Sequence, residues 1–188
     1  MADTVLSKAV IGHEGLTKKL GLVIGGSLFI AMAAQVSMGW PVPMSLQTLA
    51  ILIVGLTFGS QLGLATLVTY LGYGAMGLPV FANGGATASL FGPTAGFLYG
   101  FVLMAYLAGL AVEKGVARGV VSTALVGMAL SAMIYIPGLA WPALVMGKTV
   151  PELWAGWMAP FLLGDAVKAV IAAMVVWGGW KALQARKG

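Results

Sequence analysis

Between Leu20 and Gly39 the chain runs for twenty residues without a charge. Wound as a helix, such a run is about 30 Å long, the thickness of a bilayer's hydrocarbon core. Comparable apolar stretches recur as far as residue 180, so lipid must be the solvent for much of the surface. Composition agrees, with 60% hydrophobic and 8% charged residues among 188, against about 25% charged in a soluble domain. The 28 glycines suit membrane helices, whose backbones approach closely where side chains are small.

The expected fold is an all-α integral membrane protein, a bundle of six transmembrane helices. The spans fall at about 20–39, 44–59, 61–80, 94–112, 119–140 and 158–180. Trp40, Pro41, Val42 and Pro43 close the first, because prolines this close favour an extended turn. Gly77, Leu78 and Pro79 close the third, and a glycine-rich loop follows from Phe81 to Pro93. Only Phe58, Gly59, Ser60 and Gln61 separate spans two and three, so one hydrophobic hairpin is an alternative reading of them. Residues 1–19 read as a cytoplasmic segment rather than a cleaved signal peptide, since Lys18 and Lys19 come late and a full span follows. Residues 20–180 form the membrane domain, and 181–188 a basic tail.

Orientation follows from lysine and arginine. With the N-terminus inside, Lys8, Lys18, Lys19, Lys114, Arg118, Lys181, Arg186 and Lys187 are cytoplasmic, while Lys148 alone is external. Both termini then lie in the cytoplasm, and the net charge of +5 is a topology signal with anionic lipid as its neighbour. It calls for no nucleic acid. Trp40, Trp141, Trp154 and Trp157 fall near external span ends, as an aromatic belt requires.

Asp165 and Lys168 lie inside the last span. An ionised side chain at the bilayer centre costs about 2.5–3.5 kcal/mol even on the lenient insertion scale. At i,i+3 the two share one helix face. They either neutralise each other as a structural pair, recognise a ligand, or relay protons. Gln47 and Thr48, one turn into span two, serve as interhelical glue or as ligand contacts. Phe81 and Asn83 start the glycine-rich loop, where asparagine suits positive φ or forms the rim of a site. Tyr99 stands near the external end of span four, where a pocket open to the outside would be. Small residues recur four apart in span one, at Gly21 and Gly25, Ser27 and Ala31, Ala33 and Ser37.

Several chemistries are excluded. There is no cysteine, and the single histidine, His13, lies in the polar N-terminal segment. The chain carries no Walker loop, no acidic cluster for a metal, no nucleophile–base pair and no cofactor motif. An enzyme is not expected.

Four blocks together carry a family resemblance: Pro41 to Leu49, Gly77 to Ala82, Gly92 to Phe101, and Pro160 to Ala169. In order and spacing they resemble the BioY family, the membrane-embedded substrate-capture (S) components of energy-coupling-factor vitamin transporters, specific for biotin. The resemblance runs over about residues 20–180. It implies six helices with cytoplasmic termini and a biotin pocket near the external face, closed by the loops after spans one, three and five. It implies that Asp165 and Lys168 recognise biotin, with Asn83 as a loop contact. It also implies docking on a transmembrane coupling subunit through an Ala-x-x-x-Ala motif in span one, where this chain has Ser27 and Ala31. The expected ligand contacts are therefore Asp165, Lys168, Asn83, Gln47, Tyr99 and Phe81, with no metal or cofactor and with biotin as the transported ligand. The expected site of action is the bacterial cytoplasmic membrane. The family includes proteins working with ATPases and proteins working alone, and a homo-oligomer is left open. The rival readings are a proton-coupled carrier of another small solute and an assembly subunit without a ligand.

Overall fold

The computed structural model describes residues 5–11, 15–39 and 42–186. His13, Trp40, Pro41 and Lys187 lie outside the described residues.

Helix α1 (Leu6–Ile11) precedes α2 (Leu16–Gln35). In α2 the buried residues are Val23, Gly26, Ser27, Ile30 and Ala34, a stripe at helical spacing. The opposite face exposes Leu20, Ile24, Leu28 and Met32. A helix apolar on both its packed and its exposed face is one solvated by lipid. Ser27 belongs to the packed face, fully buried, with its Oγ donating to the Ile24 carbonyl at 2.9 Å. Of the two residues expected at the docking motif, Ser27 is thus turned into the bundle, while Ala31 is half-buried. Gly21 and Gly25 are the small residues with open space before them.

A two-residue strand pair, β1 (Ser37–Met38) against β2 (Met44–Ser45), leads to α3 (Gln47–Phe58). Gly59, at φ 88°, alone joins α3 to α4 (Ser60–Ala75), a turn at a backbone angle that glycine adopts without strain. The Glu113 carboxylate secures this turn, accepting from Ser60 N and Ser60 Oγ, both at 2.7 Å. It thereby satisfies amide and hydroxyl groups at the start of α4 that the helix itself leaves unpaired.

After the segment 76–94 comes α5 (Ala95–Glu113), the most interior helix, buried at Phe97, Leu98, Phe101, Met104, Ala105 and Ala108 among others. It packs against α3, α4 and α7. Gly55 fits against Ala105 and Ala108, and Gly109 against the main chain of Gly59 and Ser60. Helix α6 (Val120–Met133) lies along α9 and continues through Ile134 into α7 (Tyr135–Met146). Pro137 sits in the first turn of α7 and has no N–H to give the Met133 carbonyl. Where the sequence suggests a fifth span ending at 140, the helical stretch runs to 146, because α7 restarts within one residue of the break.

Helix α8 (Val150–Leu153) opens with a capping box, Thr149 N donating to Glu152 Oε2 at 2.9 Å. Irregular turns over 154–161 follow, and then α9 (Leu162–Ala185), 24 residues long. The last regular helix begins at Leu162 rather than at 158, after the turn that contains Pro160.

Among the described residues, four helical stretches are long and apolar enough to cross a membrane: Leu16–Gln35, Ala95–Glu113, Val120–Met146 and Val150–Ala185. Helices α3 and α4 occupy the places of expected spans two and three with 12 and 16 residues. At 1.5 Å per residue they measure about 18 and 24 Å, so each is shorter than a full crossing. The bundle has two distinct ends. One gathers β1, β2, the segment 76–94 and the turns of 147–161. The other gathers α1, the Gly59 turn, the connection 114–119 and the last turns of α9, as shown by Leu6 against Gly179 and Val5 against Gly59.

Candidate ligand site

At the first end the helices line a cavity whose walls come from six parts of the chain. Ser45, Gln47 and Thr48 stand at the start of α3, Phe81 and Ala82 in the segment after α4, and Phe97 and Phe101 on α5. Tyr135 opens α7, Trp157 comes from the turns before α9, and Asp165 and Lys168 lie on α9 itself. Aromatic and aliphatic walls with a few convergent polar groups are the usual make-up of a small-molecule site.

Asp165 and Lys168 do face one another, but loosely. Lys168 Nζ is 3.4 Å from Asp165 Oδ1, longer than the ~2.7–2.9 Å of a tight charge-assisted bond. Among the described residues this carboxylate is the only partner of the ammonium, which has three donors. The second oxygen, Oδ2, accepts from the Tyr135 hydroxyl at 2.6 Å. Tyr135 is itself held edge-on against Phe97, with centroids 5.8 Å apart. The carboxylate is thus clamped through Oδ2, while Oδ1 keeps acceptor capacity toward the cavity. Asp165 is 7% exposed, so a hydrogen bond made there is only weakly competed by water. We expect Tyr135→Phe to weaken ligand binding about 10-fold, the worth of one ~1.5 kcal/mol bond to a charged group. Titration calorimetry of the two proteins checks this, and equal affinities count against the clamp.

Gln47 Nε2 donates to Tyr70 Oη at 2.8 Å, and that hydroxyl donates to the Val80 carbonyl at 3.0 Å. Gln47 therefore lines the cavity and at the same time joins α3 to α4 and to the segment beyond it. Thr48 Oγ1, also in the wall, is buried and has no hydrogen-bond partner among the described residues.

The segment 79–85 forms a flap over this end. Phe81 is 2% exposed and stands edge-on to Tyr70 at 5.3 Å. Its ring lies against Gly74, where a side chain would collide with it. Phe81 N donates to Gly85 O at 2.9 Å, closing a tight turn. Gln35 Nε2 donates to the carbonyls of Pro79 and Phe81, at 3.2 and 3.1 Å. Asn83, at φ 56°, donates from N to Ser37 Oγ at 3.0 Å and from Nδ2 to Gly39 O at 3.3 Å. The flap is thereby stapled to the end of α2 and to β1.

Four of the six expected contacts, Gln47, Phe81, Asp165 and Lys168, thus line one cavity. The other two do not. Asn83 spends its hydrogen bonds on the staple to Ser37 and Gly39, with Phe81 and Ala82 beside it reaching the cavity instead. Tyr99 is 43% exposed, donates to the Leu90 carbonyl at 2.8 Å and stacks edge-on with Trp141. Trp157, expected in an interfacial belt, is 3% exposed in the cavity wall, whereas Trp154 is 54% exposed. The irregular turns before α9 direct neighbouring tryptophans to opposite sides. Tyr135, Gln35 and Trp157 carry no sequence signal that separates them from packing residues.

Fold and site together define a multi-pass membrane protein built around a binding cavity for a small molecule with both polar and apolar parts. Comparison with known proteins narrows this class. The chain belongs to the BioY family, whose family model matches residues 4–185. A probable biotin transporter BioY of Pyrococcus horikoshii is 34% identical over 163 residues, covering 84% of this chain and 93% of that one. The biotin transporter BioY of Rhodobacter capsulatus is 33% identical over 167 residues, covering 83% and 88%, and that of Thermotoga maritima 36% over 137 residues, covering 72% and 79%. A crystal structure of the S-component for biotin from an ECF-type ABC transporter has the same fold, with a TM-score of 0.76 over 92% of each chain at 22% identity.

Proposed function

We propose that this chain binds biotin in the cavity and mediates its uptake across the membrane, as the S component of an energy-coupling-factor transporter or as a solitary transporter. The observation that carries the reading is the Asp165–Lys168 pair, half satisfied, at an aromatic cavity in a chain whose relatives are biotin transporters. Biotin's ureido ring offers two N–H donors and one carbonyl. Asp165 Oδ1 accepts from the former, and Lys168 donates to an oxygen of the ligand. The apolar bicycle and valeryl chain suit Phe97, Phe101 and Trp157.

In this reading six helices, α2, α3, α4, α5, α6 with α7, and α9, alternate in direction across the bilayer. Residues 1–19 and the tail 181–188 are cytoplasmic, with 20–180 as the membrane domain. The positive-inside rule supports this, since Lys114, Arg118, Lys181 and Arg186 belong to the end opposite the cavity. The cavity then opens outward from the cytoplasmic membrane of a bacterium. A transmembrane coupling subunit, with its ATPases, finds the close-approach surface it needs at Gly21 and Gly25 on α2. No cofactor enters the scheme.

The test is calorimetric titration of biotin into the purified, detergent-solubilised chain. Saturable heat at one site per chain supports the reading, and a folded protein that gives none removes it. Thr48→Val adds an independent check. Losing an unpartnered buried hydroxyl leaves thermal stability unchanged or raised, because its desolvation is uncompensated. If Thr48 Oγ1 is completed by ligand, affinity falls about 5-fold, for ~1 kcal/mol. Unchanged affinity would assign Thr48 to packing.

A further inference from the structure

The end of the bundle away from the ligand cavity holds a second, wider cleft of about 480 Å³. Arg118 and Gly119, from the connection between α5 and α6, form one wall, and Trp177, Trp180, Lys181 and Gln184 of α9 form the other. Arg118 lies over Gly115, whose φ of 71° and missing Cβ leave room for the guanidinium. Lys181 Nζ stands 4.2 Å above the Trp177 ring. Among the described residues no carboxylate lines the cleft. The nearest in sequence, Glu113, is engaged with Ser60. The first turn of α6, capped at Gly119 by Ser122 Oγ at 3.0 Å, adds the positive end of a helix dipole.

Two cations of different elements thus share a concave site, without a counter-charge among the described residues, framed by tryptophans at the end of a membrane helix. Tryptophan there marks the headgroup level of the bilayer. A basic recess between helices at that depth is suited to an acidic lipid headgroup. Arginine supplies planar two-pronged donation to a phosphate, and lysine a point charge. The apolar wall of Val176 and Ala117 accommodates the glycerol and the first methylenes of the acyl chains.

We propose that this cleft binds the phosphodiester headgroup of one anionic phospholipid, with Arg118 and Lys181 as its ligands. The site is separate from the biotin cavity, so it stands or falls without that reading.

The experiment is native mass spectrometry and thermal melting of the full chain in neutral detergent, with dioleoyl phosphatidylglycerol or dioleoyl phosphatidylcholine added at equal mole fraction. Wild type is expected to retain one phosphatidylglycerol per chain and to melt higher with it, and to retain no phosphatidylcholine. Arg118→Gln with Lys181→Gln should lower retention at least 10-fold and abolish the shift. Lys114→Ala with Arg186→Ala removes equal charge at the same end outside the cleft and should behave as wild type. If Arg118→Gln with Lys181→Gln prevents folding, each single substitution is read in its place, with an intermediate loss expected from each. Equal retention of the two lipids, an unaffected Arg118→Gln, Lys181→Gln protein, or a matching loss in the Lys114, Arg186 control overturns the proposal. So does stabilisation by sodium phosphate alone equal to that by phosphatidylglycerol, which assigns the cleft to a free anion. Binding of a hexaglutamate peptide without binding of the lipid overturns it in favour of an acidic protein segment.

Discussion

Asp165→Asn is expected to lower the affinity for biotin by about 100-fold or more while the protein still inserts and folds. Asparagine keeps the volume and can still accept from Tyr135, so the packing around α9 survives. What is lost is the charge. Bonds to a charged acceptor are worth ~1.5–3 kcal/mol each, and in the proposed binding mode the carboxylate meets a ligand with two N–H donors, so a loss of ~3 kcal/mol, or about 100-fold, is expected. Calorimetry on the wild type and the variant in the same detergent checks this. A folded Asp165→Asn protein with wild-type affinity would show that the pair serves packing and that biotin, if bound at all, is read by other groups.

Gly109→Val is expected to lower the melting temperature by roughly 5–10 °C or to prevent folding, with or without ligand. A Cβ at this position falls on the main chain of Gly59 and Ser60. Main-chain atoms cannot rotate aside as a side chain can, so α5 must move away from the α3–α4 turn. Overpacking of a core costs ~1–3 kcal/mol, and a protein of this size loses about 2–4 °C per kcal/mol. The displacement also pulls Glu113 from Ser60, whose amide and hydroxyl it satisfies, which places the effect at the upper end. Thermal unfolding followed by tryptophan fluorescence measures it. A variant that melts with the wild type would mean that α5 and the turn are less tightly apposed than described.

Much of this was legible in the chain itself. A charged pair in an apolar run can be tolerated only at an interior site, and Asp165 and Lys168 are found at one. The polar start of α3 and the phenylalanine at the head of the glycine-rich loop were legible for similar reasons, since Gln47 and Phe81 each follow a turn that aims them inward. Tyr99 shows where proximity along the chain misleads. Two residues after Phe97, it is rotated by about 200° around α5, so a helix that turns Phe97 and Phe101 into the cavity must turn Tyr99 away. Ser27 is turned inward by the same geometry, because it shares a face with Val23, Ile30 and Ala34. Tyr135, Gln35 and Trp157 were illegible for another reason. Their roles depend on partners 30 or more residues away or on irregular turns, which no local pattern encodes. The lengths of α3 and α4 were hidden too, because a single glycine both ends one helix and begins the next.

The ligand cavity itself has a volume of about 80 Å³, well under the ~300 Å³ at which ordinary small-molecule sites begin. Its cover is held by Gln35, Ser37 and Asn83 through hydrogen bonds that water can replace, and by the Phe81 ring packed against Tyr70 and Gly74. With biotin bound as proposed, capture is expected to be gated, the segment 79–85 moving aside before a solute of that size reaches Asp165. Observed association rates should rise with biotin concentration and then level off at the rate of lid opening. Asn83→Ala, by removing the bond from Nδ2 to the Gly39 carbonyl and the one Oδ1 accepts from the Ser37 hydroxyl, should raise that ceiling and shorten the residence time together. Stopped-flow fluorescence reads both, and a rate that climbs without limit would describe an open bowl instead of a latch.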